Sequence, residues 1–271
     1  MILLAGCGIQ AHDPRTLRVG YAPNLTHAQA LIGFSNGTFA RALGPEITIT
    51  PVLMNAGPST VEALFAGALD LAYIGSGPAI NGYVKSGGQA LRVIAGAASG
   101  GAVFVARPEA DIKSIGDCAN KRVATPQLGN TQDIALRHTL LQHGLTAREA
   151  GGSVEIIPMA NADILTGLLR KTIDAAWVPE PWGARLVHEA GGELVLDERD
   201  LWPDRRFPTT VLIASSAMLR ERPALLTRWL TAHVELTAWI RAHPEEAKQV
   251  VNQELERLTG HALAHAVLND A

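Results

Sequence analysis

The chain builds one unit twice. Residues of its first part recur with 104 added to their numbers: Arg18-Val19 and Arg122-Val123, Leu64 and Leu168, Asp70 and Asp174, Ala72 and Ala176, Tyr73 and Trp177, Ile74 and Val178, Gly87-Gly88 and Gly191-Gly192. Taken singly these identities are little above chance for two apolar α/β segments. The constraint is their shared, gapless offset at strand starts, strand ends and helix ends, because like elements in like order imply like lobes. On this register the post-strand loops Gly75-Ser76-Gly77 and Pro179-Glu180-Pro181 correspond, and the two can face each other across a cleft.

Strand signals over 17–22, 47–53, 71–74 and 91–97 alternate with helical ones in the first unit, including a helix over 59–66 capped by Ser59 and another over 78–85. The second unit repeats the order with strands over 122–125, 154–157, 175–178 and 193–196. Such alternation predicts parallel sheets covered on both faces, with ligands bound beyond the carboxyl ends of the strands. Gly100-Gly101 precedes a new apolar run over 102–106 and marks a first hinge. A strand over 209–214 returns to the first lobe, which makes Phe207-Pro208 the second. The expected division is 1–15 as leader remnant and linker, 16–101 as the first lobe, 102–207 as the second, and 208–271 as the return, with helices over 217–222, 225–242 and 245–258.

The loops at the strand ends carry the candidate site. After Ile74, Gly75 and Gly77 allow close backbone approach, Pro78 suits a first helical position and Ser76 a cap, which leaves free N–H groups and the positive end of a helix dipole pointing outward. Asn24 or Thr26 caps the helix after the first strand, and His27 in its first turn either donates to an anion as a neutral imidazole or is partly exposed without a role. In the second lobe Gly129 permits a turn and Asn130 or Thr131 caps a helix running to Gly144, a second anion seat. Ser99 either reaches the cleft or is a plain loop serine. Glu180 either meets a cationic or hydroxyl end of a ligand or caps the next helix, and Trp182 is either core packing or an apolar wall.

A formal charge of −3 with 18% charged residues gives no broad basic field and argues against nucleic acid as a partner. No apolar run reaches the length of a membrane span. Dinucleotide and P-loop fingerprints, GxSxG, HExxH and paired CxxC motifs do not occur. His261 and His265 share an i, i+4 spacing near a chain end expected to fray, with no glutamate between them, so no metal site is expected. Nothing assembles a nucleophile with a base, and no cofactor is implied. Of the two cysteines, Cys118 reads as a small apolar residue in a short helical turn, whereas Cys7 ends Leu3-Leu4-Ala5-Gly6-Cys7, which resembles a lipoprotein lipobox preceded by too short a leader.

The segments Tyr21-Ala22-Pro23-Asn24-Leu25-Thr26-His27-Ala28, Gly75-Ser76-Gly77-Pro78-Ala79-Ile80-Asn81, Thr125-Pro126-Gln127-Leu128-Gly129-Asn130-Thr131-Gln132-Asp133 and Trp177-Val178-Pro179-Glu180-Pro181-Trp182 resemble those of substrate-binding proteins of ABC transporters in the aliphatic sulfonate, nitrate and taurine group (SsuA/NMT1-like). The resemblance covers nearly the whole chain from Thr16. It implies the type II periplasmic binding fold, an α/β architecture of two lobes joined by two crossovers that closes on a small anion. It further implies a monomer working outside the cytoplasmic membrane with a membrane permease as partner, lipid-anchored if Cys7 is a lipobox cysteine. The implied contacts are Asn24, Thr26, His27, Ser76, Gly77, Ser99, Asn130 and Thr131, with Trp182 near the ligand's tail and Glu180 as ligand group or cap. Two departures stand out: such proteins usually continue some tens of residues further, and no arginine or lysine occupies the matched motifs. The competing reading is a pyrimidine synthase of thiamine biosynthesis on the same fold. That enzyme's cysteine-rich iron site cannot be built with Cys118 as the only cysteine beyond the N-terminal region.

Overall fold

The computed structural model describes residues 13–271, so Cys7 lies outside the described residues. The first unit runs β1 (Thr16–Tyr21), α1 (Ala28–Ser35), α2 (Thr38–Leu43), β2 (Thr48–Leu53), α3 (Gly57–Phe65), β3 (Leu71–Gly75), α4 (Ser76–Lys85) and β4 (Leu91–Ser99). The second runs β5 (Ala102–Ala106), β6 (Arg122–Thr125), α5 (Thr131–Gln142), β7 (Glu155–Pro158), α6 (Asn161–Leu169), β8 (Ala175–Pro179), α7 (Trp182–Ala190) and β9 (Glu193–Asp197). Then follow β10 (Pro208–Ser215), α8 (Ser216–Glu221), α9 (Pro223–Ala242), α10 (Pro244–Thr259) and α11 (His265–Asp270).

The strands form two five-stranded sheets, ordered β2-β1-β3-β10-β4 and β7-β6-β8-β5-β9. The two orders are the same once β6, β7, β8 and β9 are matched to β1, β2, β3 and β4, and in each sheet the inserted antiparallel strand comes from the crossover between lobes. Val19 pairs with Leu71 and Gly20 with Ala72; 104 residues on, Val123 pairs with Ala175 and Ala124 with Ala176. Gly100 and Gly101, at φ +81° and +78°, turn the chain from one sheet into the other, a backbone that side chains of L-residues rarely adopt.

An arginine and an aspartate fasten each unit at the same station. The Arg18 backbone N–H donates to Asp70 Oδ2 at 2.8 Å and its guanidinium reaches Oδ1 at 3.1 Å; Arg122 does the same to Asp174 at 2.8 and 2.9 Å. The pairs tie the starts of β1 and β6 to the residues just before β3 and β8, respectively. Period-2 alternation then supplies two cores per sheet. Leu17, Val19, Tyr21, Leu71 and Tyr73 face α1, α2 and α9, where Phe39 stacks on Trp229 with ring centroids 3.9 Å apart. Ala72, Ile74, Val211 and Ile213 face α3 and α4. In the second sheet Phe104, Val123 and Trp177 face α5 and the turn containing buried Cys118, while Val105, Ala124 and Val178 face α6 and α7.

Three local expectations are corrected. Helix α4 begins at Ser76 and not at Pro78: extended Gly75 takes the cap position, so Ser76 is the first helical residue and caps nothing. Pro78 still sits in the first turn, where its missing N–H has no helical acceptor. Helix α3 begins at Gly57 with Pro58 in its first turn, and Ser59 donates back to the Ala56 carbonyl. The residues after Gly260 form α11, which packs on α7 of the second lobe with His188 Nε2 2.7 Å from Asp270 Oδ2. His265 opens that helix and His261 precedes it, so the two histidines share no helix face.

Burial pulls the Asp174 carboxyl upward, but hydrogen bonds from the Arg122 side chain and backbone and from Arg107 outweigh it and hold it well below the usual carboxylate range. A depressed carboxyl stabilises the fold at neutral pH and loses that contribution as pH falls below about 4 toward the depressed value. Asp174→Asn is expected to lower stability by about 2 kcal/mol at pH 7. Urea unfolding should show that gap narrowing as the pH is taken to 3.

Candidate functional site

The carboxyl ends of β1, β3, β6 and β8 and the start of antiparallel β10 meet at a cavity of about 50 Å³ between the lobes. Four helices start on its wall. Gly57 opens α3 and Ser76 follows cavity-lining Gly75 into α4; from the second lobe, Thr131 opens α5 and Asn161 opens α6. Each helix N-terminus carries roughly half a positive charge, although Pro58 and Pro78 have no N–H to give and the Gly77 and Asp133 N–H groups are engaged by Thr131 Oγ1 and Asn130 Oδ1. The lining has no aspartate, glutamate, lysine or arginine side chain. Its attraction for an anion therefore comes from backbone dipoles and neutral donors.

Of the residues read from the sequence, Asn24, Thr26, His27, Asn130 and Thr131 line this cavity. His27 is buried, and burial lowers its pKa to about 3. Its Nδ1 accepts the Ala22 N–H at 3.1 Å, so the neutral ring carries its proton on Nε2 and can only donate there. Asn130 is the α5 cap, with Oδ1 accepting from Asp133 N–H at 2.8 Å. Asp133, 1% exposed, in turn accepts from Gly129 N–H at 2.8 Å, Thr125 Oγ1 at 3.2 Å and Arg137 Nε at 2.9 Å, which fixes the loop that presents Asn130 and Thr131.

The remaining candidates lie elsewhere. Gly77 donates its N–H across the cleft to Thr131 Oγ1 at 3.4 Å. Neither Gly77 nor Ser76 lines the cavity, because α4 and α5 approach each other over it. Trp182 is outside the lining too; its indole N–H crosses between lobes to Asn24 Oδ1 at 3.1 Å, with the Arg185 guanidinium 4.6 Å from its ring centroid. Ser99 and Glu180 line a separate space of about 610 Å³ on the hinge side, shared with Arg199, Asp197 and Asp270. Glu180 Oε2 accepts the Ala184 N–H at 3.0 Å, so its carboxylate caps α7. Its backbone joins both lobes, taking the Leu25 N–H at 3.0 Å and donating to Gly101 O at 2.9 Å.

Sequence reading missed Asn55, Thr60, Tyr73, Gln132, Asn161, Thr209 and Thr210 on the wall. Thr209 and Thr210 open β10, and an antiparallel strand brings its start to the edge where its parallel neighbours end. Asn161 was findable: the same offset of 104 maps it onto Gly57. Tyr73 is held in place by its hydroxyl, which donates to His233 Nδ1 at 2.9 Å while His233 Nε2–H donates to the Gly96 carbonyl at 2.9 Å. Among the described residues no cluster of histidine, cysteine, aspartate and glutamate could hold a metal ion, and no helix is long and apolar enough to cross a membrane.

With this geometry in view, the chain was compared with known proteins. Residues 10–254 match the model of the NMT1-like family. A curated protein of Brucella abortus (strain 2308), named as a binding protein, is 28% identical over 201 residues, 74% of this chain and 60% of that protein. The chain thus spans about 60% of the length of the curated relatives it matches. Among solved structures, the alkanesulfonate-binding protein SsuA from Xanthomonas axonopodis pv. citri, bound to MOPS, superposes with a TM-score of 0.77 at 18% identity, over 96% of this chain and 84% of that one. The periplasmic nitrate-binding protein NrtA from Synechocystis PCC 6803 superposes with a TM-score of 0.73 at 19% identity, over 89% and 66%. These likenesses show the two-lobed periplasmic binding fold.

Two outcomes are expected. A Cβ at Gly75, whose φ of −60° any residue tolerates, would fall 2.2 Å from Thr131 Oγ1. Gly75→Ala should therefore wedge the lobes apart without unfolding either, read as a larger radius of gyration in solution scattering at an unchanged melting temperature. Burial raises the Glu180 carboxyl to about 7 against the Ala184 N–H, which lowers it. A raised carboxyl favours the fold below the ordinary carboxylate range and loses that advantage as pH rises through 7. Glu180→Gln, which keeps an acceptor for the cap, should gain several degrees in melting temperature over the parent at pH 8 and little at pH 5.

Proposed function

The chain belongs to the NMT1-like family, and from that premise we propose that it is the substrate-binding component of an ABC importer, working outside the cytoplasmic membrane. It captures a small anion between its lobes and presents the closed complex to a membrane permease. The observation that carries this reading is the uncharged cavity bounded by four helix N-termini, two from each lobe. Binding across both lobes couples capture to closure, because an anion seated there satisfies N–H groups of each lobe at once. A single negative charge suits the site: no cationic side chain is present to balance a second one, and no carboxylate is present to take a proton from a hydrogen phosphate. An aliphatic sulfonate or a related aminosulfonate is the ligand class we favour, with nitrate as the inorganic alternative. The cavity has room for a handful of heavy atoms.

Binding, not catalysis, fits the chemistry. The one histidine on the wall is neutral with Nδ1 engaged, no cysteine lines the cavity, and Cys118 lies in the core of the second lobe with its thiol pushed up by burial to about 12. We further propose that the protein acts as a monomer and that Cys7 is its lipid anchor.

The test is a thermal-shift panel of alkylsulfonates, nitrate, phosphonates and carboxylates, since a ligand that binds only the folded state raises the melting temperature. A selective rise with monoanions is expected, weakened roughly tenfold in affinity by Thr131→Val, which keeps the shape and deletes the hydroxyl. Because burial keeps His27 neutral far above its pKa of about 3 and no other lining group is acidic or basic near neutrality, affinity for a sulfonate should be flat from pH 5 to 9. A phosphate-selective response, or one that falls steadily with pH across that range, would sink the reading.

A further inference from the structure

Several polar side chains on the cavity wall have an acceptor atom already engaged. Asn24 Oδ1 takes the Trp182 indole N–H, Asn130 Oδ1 takes the Asp133 N–H, and His27 Nδ1 takes the Ala22 N–H. What these groups have left for a ligand is donors. Asn161 is the reverse: its Oδ1 is buried and, among the described residues, no group donates to it. Buried carbonyl oxygens are nearly always paired, so an orphan on the wall of a cavity calls for a partner inside that cavity. The duplicated architecture shows why the feature occurs once. The counterpart of Asn161 is Gly57, where a Cβ would fall 2.2 Å from Pro78 Cγ, so the first lobe has no room for a side chain at that station. Only the second lobe can place an acceptor there.

We infer that Asn161 determines specificity: its Oδ1 accepts a hydrogen bond from an ammonium or hydroxyl group that the ligand carries beside its anionic head. This rests on the cleft being the ligand site, and it narrows the ligand from small anions in general to donor-substituted ones. The helix N-termini and the His27 Nε2–H hold the oxyanion. In a cavity of about 50 Å³ the donor lies only a few bonds away from it. An anion without such a group would leave Oδ1 dry and unpaired when the lobes close, and a site built to hydrogen-bond a polar group discriminates strongly against analogues that lack it.

The experiment is calorimetric titration with matched series: ethanesulfonate, 2-hydroxyethanesulfonate and 2-aminoethanesulfonate; propionate, 3-hydroxypropionate and 3-aminopropionate; ethylphosphonate and 2-aminoethylphosphonate. Within the series that binds, a donor-bearing member should be roughly tenfold or more tighter than the plain one. Asn161→Ala should reduce that preference to about twofold or less by weakening the donor-bearing member, whereas Asn161→Asp, which keeps an acceptor oxygen, should retain the preference for the ammonium compound. Ligand-free Asn161→Ala should melt no lower than the parent, since it removes an oxygen that had no partner. Equal affinity for plain and substituted members, or a preference that survives in Asn161→Ala, overturns the inference and leaves the cleft as the anion site. A large loss of melting temperature in Asn161→Ala overturns it as well, because the oxygen then had a partner within the protein. No binding in any series overturns both the inference and the proposed function.

Discussion

The first N–H groups of a helix have no partner within it, and here two helices from each lobe bring that deficit to one small cavity. Everything near the cleft serves or tolerates this arrangement. Strands end there so that helices can begin there. Asp133, 1% exposed, accepts from the Gly129 N–H and fixes the α5 loop, and among the described residues the lining carries no charged side chain, so the field inside comes from aligned peptide dipoles.

The meeting of the lobes rests on small residues and a few polar bonds. Glycine at 75 and 77 lets Thr131 come against the backbone of α4, and hydrogen bonds that cross the interface include Gly77 N–H to Thr131, Trp182 to Asn24, and Leu25 N–H to Glu180 O. Individually such bonds contribute on the order of 1 kcal/mol. Contacts of that size hold the lobes together without a large apolar seam, and the chain turns between them at Gly100-Gly101.

Much of the fold was legible in advance because the signals were local. The alternation of strands and helices and the offset of 104 that relates the two units were readable along the chain, whereas the Arg18–Asp70 and Arg122–Asp174 pairs, each between residues 52 apart, were found only in the structure. The site was less legible. Asn24, Thr26, His27, Asn130 and Thr131 sit where strand-to-helix loops point, and those loops can be read from the chain. Ser99, Glu180 and Trp182 also lie at strand ends, yet Ser99 and Glu180 line the separate space on the hinge side and the Trp182 indole reaches across to Asn24. Ser76 fell outside because α4 begins two residues earlier than expected, which moves its side chain from the cap position onto the helix.

By itself, then, the sequence determined an α/β fold of two like lobes and the strand-to-helix loops at the strand ends, since periodicity and turn residues are local and the shared offset is a property of the linear sequence. Only the tertiary structure decided which loop residues face the cavity and which brace the hinge. It alone put the start of β10 beside the strand ends, fixed the tautomer of His27 through the Ala22 N–H, and left Asn161 Oδ1 without a donor. The physical reason is that a hydrogen bond is settled by distances of a few tenths of an ångström between groups far apart in the chain, 158 residues in the bond from Trp182 to Asn24. No pattern along a chain specifies distances of that kind.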